Sequence, residues 1–249
     1  MEVFLGALIG LAIGTTGVGG GTLTAPALIL FLGLPAGQGV GTALLFSAAV
    51  KINAIIVYLY RREVDRKALS YMLAGGIPGA VAGFLGMESL HGARGNGLIL
   101  LLVGATVAAA AGFSLLRSYL GAGLHRERLG LLPVMSFPIG MSVGFSSAGA
   151  GVLGTVLLFS TTKLAPVAVV GTDLVFGMAV SAVGGALHVA VGTWSGAALL
   201  KLLAGGLVGA TAGSQLAGFL PARILRITVL LCALLMGTLL LHRGVRAMF

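Results

Sequence analysis

The stretch Thr15-Thr16-Gly17-Val18-Gly19-Gly20-Gly21-Thr22-Leu23-Thr24-Ala25-Pro26 interrupts an apolar run over residues 3–34 and is written again 130 positions later. There it reads Phe145-Ser146-Ser147-Ala148-Gly149-Ala150-Gly151-Val152-Leu153. Aligned without a gap, residues 10–83 and 140–213 share 24 identities in 74 positions. Roughly 8 are expected by chance from so biased a composition. The matches include glycines: Gly10/Gly140, Gly14/Gly144, Gly19/Gly149, Gly21/Gly151, Gly41-Thr42/Gly171-Thr172 and Gly75-Gly76/Gly205-Gly206. Two related apolar halves with interrupted segments in matching places are the build of many secondary transporters, which hold a solute between the halves near the bilayer midplane.

The composition agrees with a chain that lives in lipid. Of 249 residues, 58% are hydrophobic and 8% charged, against about 25% charged in a soluble domain. The 42 glycines suit helices that approach closely through small residues. A net charge of +9 raises the question of nucleic acid, but the basic residues sit in short loops between apolar runs, where the positive-inside rule accounts for them. The single Cys232 allows no intramolecular disulfide, and no motif calls for a metal or a cofactor. Met1-Glu2 lacks a basic leader, so the first apolar stretch is expected to remain in the mature chain.

The pattern predicts an all-α polytopic membrane protein of two homologous halves. Each half has four membrane segments, about eight in all, and its first segment is broken. In the first half (1–116) the pieces 3–14 and 22–34 flank the break and are followed by 40–60, 68–85 and 97–116. A basic connection over 117–130 leads to the second half (131–249), with a broken segment at 131–162 and then 169–191, 197–220 and 224–241. The basic loops 61–67 and 117–128 are placed in the cytoplasm. If each broken segment crosses once, the halves are parallel; if each returns to the side it entered from, they are inverted. The loop count of Arg and Lys is the same for both. The uncharged loop Gly192-Thr193-Trp194-Ser195-Gly196, matching the basic one, favours inversion.

Irregular backbone at membrane depth is tolerated only when buried in protein or lining a cavity. The amides of Gly19, Gly20, Gly21 and Thr22, at the start of a helix, form a candidate anion nest, with Pro26 expected in that helix's first turn. A plain kink is the competing reading. Gly149 and Gly151 are the matching positions in the second half, where hydroxyls accompany fewer glycines. Lys51 lies midway along 40–60, about 15 Å of helix from Arg61, too far to reach the interface comfortably. A lysine at that depth is costly and marks a functional site by default. With Asn53 and Ser47 near it, Lys51 is a candidate to face an anion; the alternative is an ion pair with Asp173. Asp173 is also a candidate proton carrier, as is His188, which otherwise is a boundary residue near a helix end.

Gly140-Met141-Ser142-Val143-Gly144 matches G-x-S-x-G, with Asp173 and His188 following in hydrolase order. The motif needs a strand-to-helix turn that this chain does not offer. Its glycines recur as Gly10 and Gly14 around Ala12, so duplication explains them and an enzyme is not expected. A passive anion channel is the stronger rival to a transporter, since the same groups can line a pore.

The Gly-rich break with its proline (Gly17 to Pro26), the repeated Gly-Thr-x-Leu (Gly41-Thr42-Ala43-Leu44 and Gly171-Thr172-Asp173-Leu174), His188 with Gly192, and the Gly-Gly-x-x-Gly helices at Gly75–Gly79 and Gly205–Gly209 together resemble the TauE/SafE family of sulfite and organosulfur anion exporters. The resemblance covers nearly the whole chain. It implies export of small anions such as sulfite, sulfoacetate or other sulfonates across the cytoplasmic membrane, driven by protons or membrane potential. Relatives usually carry glycines in the second break too, whereas Ala148 and Ala150 interrupt it here. The expected mechanism is alternating access with the anion between the two breaks. Thr16, Thr42 and Thr172 would support the amides, Lys51 and Asn53 would face the solute, and Asp173 or His188 would carry the coupling proton. The expected partners are a small anionic solute and the lipid bilayer, with no nucleic acid and no signal for a set number of subunits.

Overall fold

A computed structural model describes residues 1–16, 20–90, 95–120, 128–216 and 222–248, and every regular element within them is helical. The first half forms α1 (Glu2–Thr16), α2 (Gly20–Phe31), α3 (Ala36–Tyr60), α4 (Arg66–Glu88) and α5 (Gly95–Leu120). After one 3-10 turn at Leu129–Leu131, the second half forms α6 (Leu132–Ser146), α7 (Ala150–Thr161), α8 (Pro166–Ala190), α9 (Gly196–Leu216) and α10 (Ala222–Met248). The chain is the all-α polytopic protein its composition requires. Seven described helices are long and apolar enough to cross a bilayer: α3, α4, α5, α8, α9, α10, and α6 together with its 3-10 turn. The helices α1, α2 and α7 have 15, 12 and 12 residues. At 1.5 Å per residue, 12 residues cover about 18 Å of a core about 30 Å thick.

The interruptions follow from local chemistry. Ser146 ends α6, Ser147 takes φ 60° and Gly149 φ 111°, and α7 starts at Ala150. Glycine reaches such a φ without a steric penalty, so Gly149 is the natural pivot. Helix α2 already begins at Gly20, which places Pro26 inside the helix and not in its first turn as expected. Its missing N–H leaves the Thr22 carbonyl without its helical partner. Between α3 and α4, Arg62 turns the chain at φ 57°, and Gly192 does the same at the matching place with φ 74°. Asp65 then caps α4, its Oδ1 accepting from the Ala68 amide at 2.6 Å.

Small residues decide the packing. Along α1, Gly6, Gly10 and Gly14 lie against the backbone of Leu202, Gly206 and Ala210 in α9, so tightly that any Cβ would collide. In the same register Gly75, Gly79 and Gly83 of α4 lie against Pro133, Phe137 and Met141 of α6. The first helix of each hairpin therefore packs on the other half. Phe46 fills the space over Gly206, and its counterpart Phe176 fills that over Gly76; both rings are fully buried.

The same contacts fix helix directions. Both α1 and α3 run parallel to α9: Gly6 to Gly14 face residues 202 to 210, while Thr42 meets Ser195 and Val50 lies over Gly206. Helix α2 runs against α3, with Gly20 at Ser47 and Ile29 at Gly39. Hence α1 and α2 are antiparallel, and the first break returns the chain the way it came. The corresponding contacts in the other half (Gly154 with Asp173, Gly177 with Ala150, Gly76 with Val180) make α6 and α7 antiparallel too. Homologous helices oppose each other. Gly41, Leu44 and Lys51 of α3 face His188, Gly184 and Gly177 of α8, and Gly104 and Leu101 of α5 face Gly237 and Gly244 of α10. Large apolar side chains such as Phe4, Ile56, Leu85, Val134, Leu200 and Leu235 point outward, as a lipid-facing surface requires.

Candidate functional site

The two breaks come together at the centre of the molecule. The Ser147 carbonyl and hydroxyl lie over Gly21, and the Ser47 hydroxyl lies over Gly20, leaving no room for a Cβ at either glycine. Between them is a small cavity lined by Gly20, Gly21, Thr22, Ser47, Lys51, Ser147, Gly149, Ala150, Gly151 and Ser181. It holds about 10 Å³, on the scale of one water or one oxygen atom. The amino ends of α2 and α7 both border it, so backbone donors and two positive helix ends converge there.

Beside it opens a chamber of about 370 Å³. Its wall includes Thr15, Thr16, Lys51, Asn53, Tyr58, Thr211 and Ser214. Among the described residues Lys51 alone lines both spaces, and only 3% of its surface is exposed. The position matching Ser47 in the second half is Gly177, and a Cβ there would stand 2.8 Å from Lys51 Nζ. The duplication was altered so that the lysine can pass.

Moved by 130 positions, the chamber's lining becomes Phe145, Ser146, Ser181, Val183, His188, Val81 and Phe84. There Phe84, Phe145 and His188 are buried, and Phe84 meets the His188 ring edge-on with centroids 5.0 Å apart. Thr15 and Ser214 line the chamber, and Phe145 and Phe84 occupy the matching positions of the other half.

The residues expected from sequence divide into groups. Gly20, Gly21, Thr22, Lys51, Gly149 and Gly151 are gathered at the small cavity, and Thr16 and Asn53 at the chamber. Gly19 lies outside the described residues, as do residues 121–127 of the basic connection. Thr42 and Thr172 line neither space, a departure from the expected anion contact. Their hydroxyls accept from the amides of Ser195 and Asp65, at 2.9 Å and 3.0 Å, and tie down the two short turns. His188 is fully buried, its Nδ1 2.8 Å from Thr193 Oγ1. Asp173, 4% exposed, accepts from Thr155 Oγ1 at 2.6 Å through Oδ2, while Oδ1 meets no protein partner. Lys51 and Arg226 lie close enough for their charges to act on it, yet among the described residues neither makes an ion-pair contact with Asp173.

Three contributors escaped the sequence reading. Ser147 and Ser181 line the small cavity, and Thr155 holds Asp173. Ser181 had a signal, since it is the position of Lys51 advanced by 130. Ser147 had one too, as a hydroxyl of the second break; Thr155 had none, because a hydroxyl in an apolar helix most often bonds back to its own backbone.

A model of the family described as "Sulfite exporter TauE/SafE" matches residues 3–240. The chain is also 27% identical over 227 residues to the "Probable membrane transporter protein YjnA" of Bacillus subtilis (strain 168), with 87% of each chain covered. No solved structure matches.

Proposed function

The chain belongs to the sulfite exporter TauE/SafE family, a family of membrane transporters and not enzymes, and from that premise we propose that it exports small sulfur-containing anions, sulfite, sulfoacetate or other sulfonates, coupled to protons or membrane potential. The observation that carries this reading is Lys51, a buried cation at the junction between a 370 Å³ chamber and a cradle of backbone donors. A small anion in a site of low dielectric needs fixed positive potential, and a lysine with two helix ends supplies it. The solute would enter the chamber, meet Lys51, and lie between the two breaks.

The antiparallel course of α3 and α8, and of α5 and α10, supports an inverted arrangement of the halves. Each hairpin then returns to its own side, and three full crossings per half reverse the second half. The unlike lining at matching positions, hydroxyls at Thr15 and Ser214 against the rings of Phe145 and Phe84, supports alternating access over a continuous pore. In the opposite state Phe84, Phe145 and His188 would part and the Thr15–Ser214 side would close. Asp173, held by Thr155, would take the coupling proton when the lysine's anion leaves; His188 would act as part of the gate.

The test is sulfite and sulfoacetate flux in proteoliposomes, wild type against Lys51→Met. Loss of a charged hydrogen-bond donor costs about 1.5–3 kcal/mol, or roughly 10- to 150-fold in affinity. Retained flux with unchanged half-saturation would overturn the reading.

A further inference from the structure

Away from the breaks, a groove of about 260 Å³ lies between α5, α6 and α7, and its lining side chains are apolar but for one hydroxyl. Ile139 and Leu157 are buried at its floor, whereas Phe113 and Met135 are half exposed at its mouth. The hydroxyl, Ser160 Oγ, donates to the Leu157 carbonyl at 2.9 Å. Nothing in the lining therefore calls for a polar guest, and hydrocarbon fits it.

The helix ends give the groove a direction. Met135 is the fourth residue of α6, Ser160 is the last but one of α7, and α5 runs on from Phe113 into the basic connection. From Ser160 the groove runs inward to Leu153, two turns or about 10 Å along α7. At the end nearest the connection, the Arg128 amide donates to the Thr161 carbonyl at 2.9 Å. That bond sets Arg128 on the end of α7, with Lys163 two residues further along the chain. Both residues are exposed, and among the described residues neither makes an ion pair. No carboxylate lines the groove. Duplication does not account for the lysine, because Gly33 is its match in the first half, and Leu30 is the match of Ser160.

An apolar slot that ends under two unpaired cations has the outline of an anionic phospholipid, hydrocarbon along the helices and phosphate at their ends. Basic pockets between helices on the cytoplasmic side hold such head groups, and the charge of the connection places it on that side. We infer that α5, α6 and α7 form a binding site for one anionic phospholipid of the cytoplasmic leaflet, an acyl chain in the groove and the phosphate within reach of Arg128 and Lys163. The lipid would brace the α6–α7 hairpin, whose other end carries Ser147 and Gly149 of the small cavity. The inference is independent of which solute the chain carries.

The probes are dioleoyl phosphatidylglycerol and dioleoyl phosphatidylcholine, titrated onto delipidated full-length protein in a neutral detergent and counted by native mass spectrometry. A cation near an anionic head group is worth about fivefold, so the wild type is expected to bind its first phosphatidylglycerol about 25-fold more tightly than phosphatidylcholine. Arg128→Gln with Lys163→Gln should bring that ratio to within about twofold. Arg66 and Lys67 are exposed cations that open α4, which packs on the other face of α6. Arg66→Gln with Lys67→Gln should leave the ratio within about twofold of wild type. Val156→Trp, which fills the groove, should weaken both lipids by about fivefold or more. Thermal unfolding of the lipid-free variants checks that each is folded. Equal wild-type affinities, or a ratio that survives loss of Arg128 and Lys163, overturns the site. So does a ratio that falls as far with Arg66 and Lys67, or a folded Val156→Trp that binds both lipids as before. Glycerol 3-phosphate binding as tightly as phosphatidylglycerol would give the cations to a free phosphate and overturn the lipid.

Discussion

Phe84 packs edge-on against His188, 5.0 Å between ring centroids, at the place where the duplicated chain elsewhere sets Ser214 near Tyr58. An aromatic pair thus stands at the positions that match the chamber's Ser214 and Tyr58. In a Cys232→Ala background, a cysteine at 214 should react with a membrane-impermeant thiol reagent about tenfold or more faster than a cysteine at 84, since thiol chemistry follows access. Equal rates would show that the passage is not closed at the Phe84 end.

The crossing of α1 and α9 leaves no space at Gly10, whose Cβ would overlap the Gly206 backbone, whereas a Cβ at Gly86 meets nothing within 4 Å. Gly10→Ala should therefore destabilise the detergent-solubilised protein by about 1–3 kcal/mol, and Gly140→Ala, its counterpart at Gly76, by a similar amount. Gly86→Ala removes a glycine from an open helical position and should be neutral or stabilising by up to about 1 kcal/mol. Thermal unfolding of the three variants decides whether close backbone approach, and not glycine content as such, is what the chain needs.

Thr42 and Thr172 show how a repeated motif can mislead. The Gly-Thr pair occurs in both halves and resembles a binding element, but each hydroxyl anchors the opposite half's turn. Thr42→Val and Thr172→Val should each lower stability by about 1–2 kcal/mol by leaving a turn amide unpaired, with anion affinity within about twofold of wild type. A large loss of affinity in a stable variant would return them to the site.

Asp173 has no counterpart in the first half, where Ala43 occupies its place, and Thr155 corresponds to Ala25. If Asp173 carries the coupling proton as proposed, that function belongs to one half alone. Asp173→Asn should keep anion binding but abolish the response of flux to an imposed pH gradient. Thr155→Val, which removes the donor to Oδ2, should shift the pH dependence of flux without changing its maximum more than about threefold. A pH response that persists in Asp173→Asn would assign the coupling proton elsewhere.

Much of the architecture was legible because lipid simplifies the code. Long apolar runs give the helices, and a glycine cluster inside one of them gives the break. Lys51 stood out because a charge in the middle of residues 40–60 has no ordinary explanation. The local pattern did not reveal which half each hairpin packs against, since Gly6, Gly10 and Gly14 would serve any close neighbour. Nor did it distinguish Ser47 and Ser147 from serines that bond to their own helix. That distinction depends on which hydroxyls face each other across the breaks, a matter of assembly and not of local sequence.

The exchange of hairpins also bears on how the protein is made. Helix α1 leaves the ribosome well before the surface it needs, from Leu202 to Ala210, is synthesised. For most of translation, Gly6, Gly10 and Gly14 present bare backbone to lipid, and a half-length hairpin must wait at the membrane without its neighbour. The first half is thus an unfinished object on its own. Its maturation is timed by the arrival of α9, and a chain that stalls before residue 213 would leave an unsealed hairpin for the quality-control machinery to find.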